Sequence, residues 1–184
     1  MVFTGSDAAQ SQLERLDNSR IGRALIALVR VGVAFLWIQN LGWKVPPRFG
    51  EGTTPPEGLY QFTHYAVDYP VFTPYANLVE HVVLPNFIAF AWLTLLLEAC
   101  IGAFLLVGLA VRFWTLVGAA QSLVITLSVL NAPNEWHWAY YLMILAHLAL
   151  FAVAAGRAGG LDGVLRPIWR QSTGRLARTL LTVS

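Results

Sequence analysis

The sequence predicts an all-α, polytopic membrane protein, a four-transmembrane-helix bundle with a long extracytoplasmic loop between helices 1 and 2. Two observations support this fold class. Hydrophobic residues make up 57% of the 184 residues and charged residues 12%, whereas soluble domains hold about 45–50% apolar and about 25% charged residues. A soluble chain of this length could not bury so much apolar surface. The apolar residues also fall into four runs, each near the length of a membrane span.

The four apolar runs are separated by polar or turn-forming segments. A helix needs about 17–25 apolar residues to cross roughly 30 Å of hydrocarbon, and its backbone must satisfy its own hydrogen bonds there. We therefore expect helices rather than loops in these runs. The predicted segments are an N-terminal tail 1–20, a membrane domain 21–156 with spans 21–43, 84–110, 113–130 and 138–155 and an outer loop 44–83, and a basic C-terminal tail 157–184.

Basic residues are distributed unevenly around these spans, and this predicts the orientation. Cytoplasmic segments of membrane proteins carry an excess of Lys and Arg. Nine of the twelve basic residues precede or begin the first span, occupy the turn after the second, or follow the fourth. Only Lys44 and Arg48 lie in the outer segments, and Arg30 lies within a span. The pattern therefore predicts a multi-pass protein of the cell membrane with both termini cytoplasmic.

Two segments outside the spans carry secondary-structure signals. In the outer loop, which is rich in Pro, Tyr and acidic residues, 58–68 is typical of a short interfacial helix. The tail segment 165–181 mixes Arg with large apolar residues. It indicates either a helix lying on anionic lipid or a disordered tail. The net charge of +2 is too small to suggest a nucleic-acid partner. The lipid bilayer is the expected surrounding.

Three ionisable residues lie deep in the predicted spans, Arg30, Glu98 and His147, and Gln121 lies at a similar depth in the remaining span. A charge at the bilayer centre costs roughly 2.5–3.5 kcal/mol, so each needs a partner or a cavity. Their depths are broadly similar, and we expect one buried polar cluster in which Arg30 and Glu98 form an ion pair. The cluster is either catalytic, with His147 moving a proton, or a structural lock that sets helix register.

A second polar set gathers at the outer face. We expect it to form a substrate or quinone site, because Lys44 and Arg48 could hold an anion while aromatic side chains line an apolar groove. The alternative interpretation is an aromatic belt with helix caps. Metal and haem sites are not predicted, because the histidines lack ligand spacing and only His147 lies deep in a span. The residues of the predicted outer site are Gln39, Asn40, Trp43, Lys44, Arg48, Asn134, Glu135 and His137.

Three motifs resemble the DoxX/DoxD membrane protein family. Residues 30–44, RVGVAFLWIQNLGWK, resemble its first-helix pattern of an Arg, a Gly and a terminal Gly-x-Lys. Residues 97–112, LEACIGAFLLVGLAVR, look like its second-helix signature. Residues 155–162, AGRAGGLD, are similar to its closing Gly-x-x-x-x-Leu-Asp. The extended outer loop and the segment 131–134, NAPN, make the chain resemble the DoxD branch, the small membrane subunit of thiosulfate:quinone oxidoreductase.

The resemblance implies a membrane subunit that works with a second subunit to oxidise thiosulfate to tetrathionate and pass electrons to quinone. The only cysteine is Cys100, so the chain offers no cysteine pair as an internal electron relay. We therefore keep two alternatives beside a quinone-linked redox subunit. One is a non-catalytic membrane anchor or assembly partner for a soluble redox enzyme. The other is a small transporter or lipid-handling protein.

Overall fold

The computed structural model describes the backbone of residues 5–184 and the side chains of residues 19–184. Every regular element within that part of the chain is helical, so the all-α prediction is confirmed. Short π and 3₁₀ turns at Val79–Val83 and Leu84–Asn86 join α3 to α4, and a 3₁₀ turn at Ala155–Arg157 precedes α7. The α-helices are α1 Gly5–Asn40, α2 Gly58–Asp68, α3 Thr73–Leu78, α4 Phe87–Val107, α5 Val111–Val129, α6 His137–Ala152, α7 Leu161–Gln171 and α8 Arg175–Val183.

Within residues 19–184, three helical stretches are long and apolar enough to cross a membrane: Ser19–Asn40, Thr73–Val107 and Val111–Val129. The fourth apolar helix, α6, is shorter, at 16 residues. The helix of the first span already begins at Gly5, so most of the predicted tail 1–20 continues that helix, and residues 1–4 lie outside the described residues.

The four long helices pack in a closed arrangement. Helix α1 packs against α4, α4 against α5, α5 against α6, and α6 also contacts α1. Small residues allow close approach, as is common between membrane helices. A Cβ on Gly102 would lie 2.9 Å from Ile38 Cγ1. The outward faces carry exposed large apolar side chains, including Leu28 and Leu36 of α1. Such faces suit a lipid surrounding.

The predicted outer loop 44–83 is folded against the bundle. Helix α2 occupies 58–68, the segment for which the sequence predicts a helix, and it packs against α5. Helix α3 was not predicted. Upstream of α2, the buried Phe49 packs with Phe87 and Ala91 of α4. The loop therefore closes one end of the bundle and supplies side chains to its interior.

The C-terminal segment is helical, so of the two alternatives for the tail the disordered one is wrong. Helices α7 and α8 contact each other, and α8 also contacts α5. Their apolar and charged residues segregate on opposite sides, as in helices that lie on a surface. Residues 157–184 thus form a compact unit at the end of the bundle opposite the outer loop.

Candidate functional site

A cavity of about 1090 Å³ lies among α1, α4, α5 and α6, under the cover of α2 and α3. Its wall is mainly apolar, with side chains such as Leu36, Phe90 and Ile125. Polar side chains from the four long helices converge at one level: Asn40, Glu98, Gln121 and His147. Small-molecule sites commonly combine an apolar wall with a few placed polar groups. The cavity is therefore the candidate functional site.

The central charged group of the cavity is an ion pair between Lys44 and Glu98. The Lys44 Nζ atom lies 2.6 Å from Glu98 Oε2, and both side chains are almost completely buried. Lys44 reaches inward because the chain turns directly after α1, and its Nζ also donates to the Asn40 carbonyl at 2.9 Å. The Glu98 carboxylate further accepts bonds from Asn40 Nδ2 at 3.2 Å and Gln121 Nε2 at 3.4 Å. Three donors from three segments thus fix one carboxylate.

The prediction that Arg30 and Glu98 form an ion pair is wrong. The buried Arg30 side chain instead donates from Nη1 to the carbonyls of Leu105 and Leu106, at 2.5 and 3.0 Å, and from Nη2 to the Gly159 carbonyl at 3.3 Å. The last carbonyls of a helix have no intrahelical partner, so those at the end of α4 are free to accept hydrogen bonds from Arg30. Backbone acceptors of this kind cannot be recognised in a sequence, whereas charged side chains can. Arg30 does not line the cavity.

Arg30 belongs to a second buried centre, which we name the Arg30–Asp162 junction: Arg30, Gly108, Gly159 and Asp162. Asp162 accepts hydrogen bonds from the N–H groups of Ala110 and Val111 at 2.7 and 3.0 Å and so caps the start of α5. Burial raises the pKa of the Asp162 carboxyl, although these N–H groups act against the shift. Gly108 ends α4 with a φ of 72°, and a Cβ there would lie 2.6 Å from Arg30 Nη1. The junction joins α1, α4, α5 and α7 with little space left.

His147 lies in the cavity wall as a neutral imidazole. The Trp37 indole N–H donates to His147 Nε2 at 2.8 Å, and His147 Nδ1 lies 2.7 Å from the Met143 carbonyl oxygen. An indole N–H can only donate, so Nε2 carries the lone pair and Nδ1 the proton. The ring fits because position 118 is glycine: a Cβ there would lie 2.3 Å from His147 Nε2. Both ring nitrogens already have partners.

The structure brings most of the predicted site residues into this one cavity. Gln39, Asn40, Trp43, Lys44 and Glu135 of the predicted outer site line it together with the deeper residues Glu98, Gln121 and His147. From the sequence, these residues are predicted to form two separate sets. They meet because the end of α1 and the outer connections fold over the bundle interior.

Three residues of the predicted outer site lie elsewhere. Arg48, Asn134 and His137 are exposed and do not contribute to the cavity wall. Because Lys44 is buried against Glu98, Lys44 and Arg48 do not form the expected anion-binding pair. Glu135 lines the cavity and accepts a hydrogen bond from the Tyr140 hydroxyl.

Several residues that line the cavity are not predicted from the sequence. Trp37, Tyr75, Ser128 and Tyr140 line the cavity, and the Tyr75 and Ser128 hydroxyls are 2.8 Å apart. Two of them could have been found by helical spacing. Trp37 lies one turn before Asn40, and Tyr140 lies two turns before His147, so each shares a face with a predicted residue. Tyr75 belongs to the unpredicted α3, and no signal in the sequence places it beside α5.

The charges in the cavity wall favour neutral ligands. The charged side chains among its described lining residues are Lys44, Glu98 and Glu135, one cation and two carboxylates. The cation is already paired, so a second anion would meet an excess of negative charge. No group of three or more potential metal-ligating side chains comes together in the part of the chain whose side chains are described.

A family model described as DoxD, the TQO small subunit DoxD, matches residues 61–182. The matched region is more than half of the chain and contains Glu98, Gln121 and His147, whereas Lys44 lies before it. Searches of curated proteins and of solved structures found no match.

Proposed function

Since the chain belongs to the DoxD family, we propose that it is the membrane subunit that holds the quinone in a thiosulfate:quinone oxidoreductase-like complex. The family description supports a membrane subunit of a quinone-linked complex. The observation that supports a quinone site on this chain is the cavity with a polar floor and apolar walls. A quinone also has a polar and an apolar part, because its ring carries carbonyl acceptors and its tail is apolar.

The donors at the cavity floor fit carbonyl oxygens. Lys44 has three N–H donors, and two of them are used by Asn40 and Glu98. The remaining Lys44 N–H, on an ammonium that lies 4.3 Å from the centre of the Trp43 ring, and the amide of Gln121 would hold a quinone carbonyl. Glu98 keeps Lys44 oriented, and we assign it the role of exchanging protons at its Oε atoms. A bound quinone would supply the electron-accepting group.

His147 is proposed to position the site rather than to transfer protons. Its Nδ1 proton is directed at the Met143 carbonyl and its Nε2 at the Trp37 indole. Proton exchange would require the loss of one of these buried hydrogen bonds. We therefore assign His147 the role of holding Trp37 against the cavity.

Thiosulfate oxidation to tetrathionate is proposed to take place on the partner subunit. Thiosulfate is a dianion, and the cavity wall offers one lysine that is already paired with Glu98. An unpaired buried charge is costly. The division of labour would place the anionic substrate on the partner and the neutral acceptor in the membrane subunit.

Quinone binding can be tested with the purified protein in nanodiscs titrated with decylubiquinone, with intrinsic tryptophan fluorescence as the readout. Ala146 lines the cavity and Ala149, on the same helix, is exposed outside it. We expect Ala146→Phe to weaken binding by at least about tenfold, which equals about 1.4 kcal/mol, and Ala149→Phe to bind like the unaltered protein.

The same titration separates the alternative functions. No saturable quinone binding by the unaltered protein would contradict the proposal and favour an anchor or assembly role. Equal weakening by Ala146→Phe and Ala149→Phe would place the ligand outside the cavity. Displacement of decylubiquinone by phospholipid, with no preference for the quinone, would favour a lipid-handling protein.

A further inference from the structure

An apolar row on α7 and α8 faces away from the bundle. Leu161, Val164 and Ile168 lie on one side of α7 at helical spacing and are 41%, 66% and 60% exposed. Leu176 of α8 is 73% exposed. Isolated exposed apolar residues are common on protein surfaces, but a row along an amphipathic helix marks a binding surface. We name these four residues the α7–α8 face.

Arginines flank the α7–α8 face. Arg170, Arg175 and Arg178 are exposed, and Arg20 and Arg23 of α1 are exposed at the same end of the bundle. The carboxylate at this end, among residues 19–184, is Asp162, and it is buried with both oxygens bonded to backbone N–H groups. The other carboxylates of that range lie in the cavity or in the outer connections. Among residues 19–184, the exposed charges at this end are therefore positive.

The position of α7 indicates what covers the face. The helix begins nine residues after the end of the apolar helix α6, so it lies close to where the bundle leaves the hydrocarbon. An anionic leaflet supplies both an apolar boundary for the exposed side chains and phosphates for the arginines. We propose that the α7–α8 face lies in the headgroup layer of a leaflet rich in anionic phospholipid. The proposal is independent of quinone binding.

The experiment measures accessibility in the full-length protein. Cys100 is the only native cysteine, so single cysteines are introduced in a Cys100→Ala background and reacted with a charged, membrane-impermeant maleimide in nanodiscs. Ile168→Cys probes the face. Gln171→Cys, an exposed polar position on the same helix, is the matched control. In discs containing phosphatidylglycerol we expect Ile168→Cys to react at least about tenfold more slowly than Gln171→Cys.

The electrostatic part is tested by neutralising the flanking arginines. An Arg near an anionic surface contributes up to about fivefold to partitioning. The combined Arg170→Gln, Arg175→Gln and Arg178→Gln substitutions should therefore reduce protection of Ile168→Cys in phosphatidylglycerol discs to the level in phosphatidylcholine discs. The corresponding three Arg→Lys substitutions keep the charge and should keep the protection.

Three results would overturn the proposal. Equal labelling of Ile168→Cys and Gln171→Cys in phosphatidylglycerol discs would mean that the face is in water. Protection in native membranes that disappears in discs of the purified protein would mean that another protein covers it. Protection that is insensitive to the lipid charge and to the arginine substitutions would contradict the role assigned to the anionic headgroups.

Discussion

The Lys44–Glu98 pair and the Arg30–Asp162 junction both bury charged side chains within one helical bundle, and they satisfy them differently. Lys44 and Glu98 neutralise each other directly, at 2.6 Å, and a large cavity adjoins them. At the junction, Arg30 binds the carbonyls that end α4, and Asp162 binds the N–H groups that begin α5. Each charge there is held by backbone groups.

This difference separates a structural centre from a functional one. The charged groups of the Arg30–Asp162 junction are surrounded by glycines. A Cβ at Gly108 or Gly160 would lie within 3 Å of other atoms, so the junction has no room for a ligand. Lys44 has one N–H beyond those bonded to Asn40 and Glu98, its Nζ lies 4.3 Å from the centre of the Trp43 ring, and open space adjoins the pair. We expect substitutions at the junction to change stability alone and those at the pair to change both stability and ligand binding.

The largest effect is expected from breaking the ion pair on one side. Glu98→Leu leaves Lys44 buried without its partner, which typically costs about 3–5 kcal/mol, whereas replacing both charges by apolar residues can be nearly neutral. We expect Glu98→Leu to lower the melting temperature in detergent strongly and Lys44→Met with Glu98→Leu to recover much of the loss. Additive losses would show that the two side chains do not interact.

An intermediate effect is expected at the junction. Gly108 has a left-handed backbone and contacts Arg30 closely, so Gly108→Ala should destabilise by about 1–3 kcal/mol and leave decylubiquinone affinity unchanged. Gly32→Ala is the matched control, because a Cβ there meets nothing within 4 Å. A lowered melting temperature for Gly108→Ala but not for Gly32→Ala is the expected result. Weakened quinone binding in Gly108→Ala at unchanged stability would contradict the separation of the two centres.

A comparable or smaller loss is expected for Asp162→Asn. The amide keeps one oxygen acceptor where the carboxylate offers two to Ala110 and Val111, and a buried donor left without a partner costs about 1–3 kcal/mol. Thermal melting should detect this loss. Asp68 is exposed, so the Asp68→Asn variant should have the melting temperature of the unaltered protein. It controls for the change of charge.

The smallest effect is expected at Arg48, which the sequence analysis places in the same anion site as Lys44. Arg48 is exposed and outside the cavity, so Arg48→Gln should change stability by no more than about 0.5 kcal/mol. Quinone affinity should stay the same, in contrast to Lys44→Met, which removes a floor donor. A clear loss of quinone affinity in the Arg48→Gln variant would show that Arg48 is part of the quinone site.

Much of the site could be predicted because helical spacing and burial cost are visible in the sequence. Glu98, Gln121 and His147 stand out as polar residues in apolar runs, and all three line the cavity. The partner of Glu98 could not be predicted. Lys44 follows the end of α1 and is predicted to bind an anion together with Arg48 at the outer face, since a sequence does not show that the chain turns there and directs this side chain inward.

The amino-acid pattern alone was sufficient for the helical class, the approximate positions of the apolar helices and the short helix at 58–68, because these depend on local periodicity and on the length of each apolar run. Which polar groups meet depended on the rotation of each helix about its axis and on where each helix ends. Arg30 binds backbone carbonyls because α4 ends at Val107 and its last carbonyls have no intrahelical partners. The cavity likewise arises from α2 and α3 folding over the bundle, a long-range packing arrangement that local sequence does not encode.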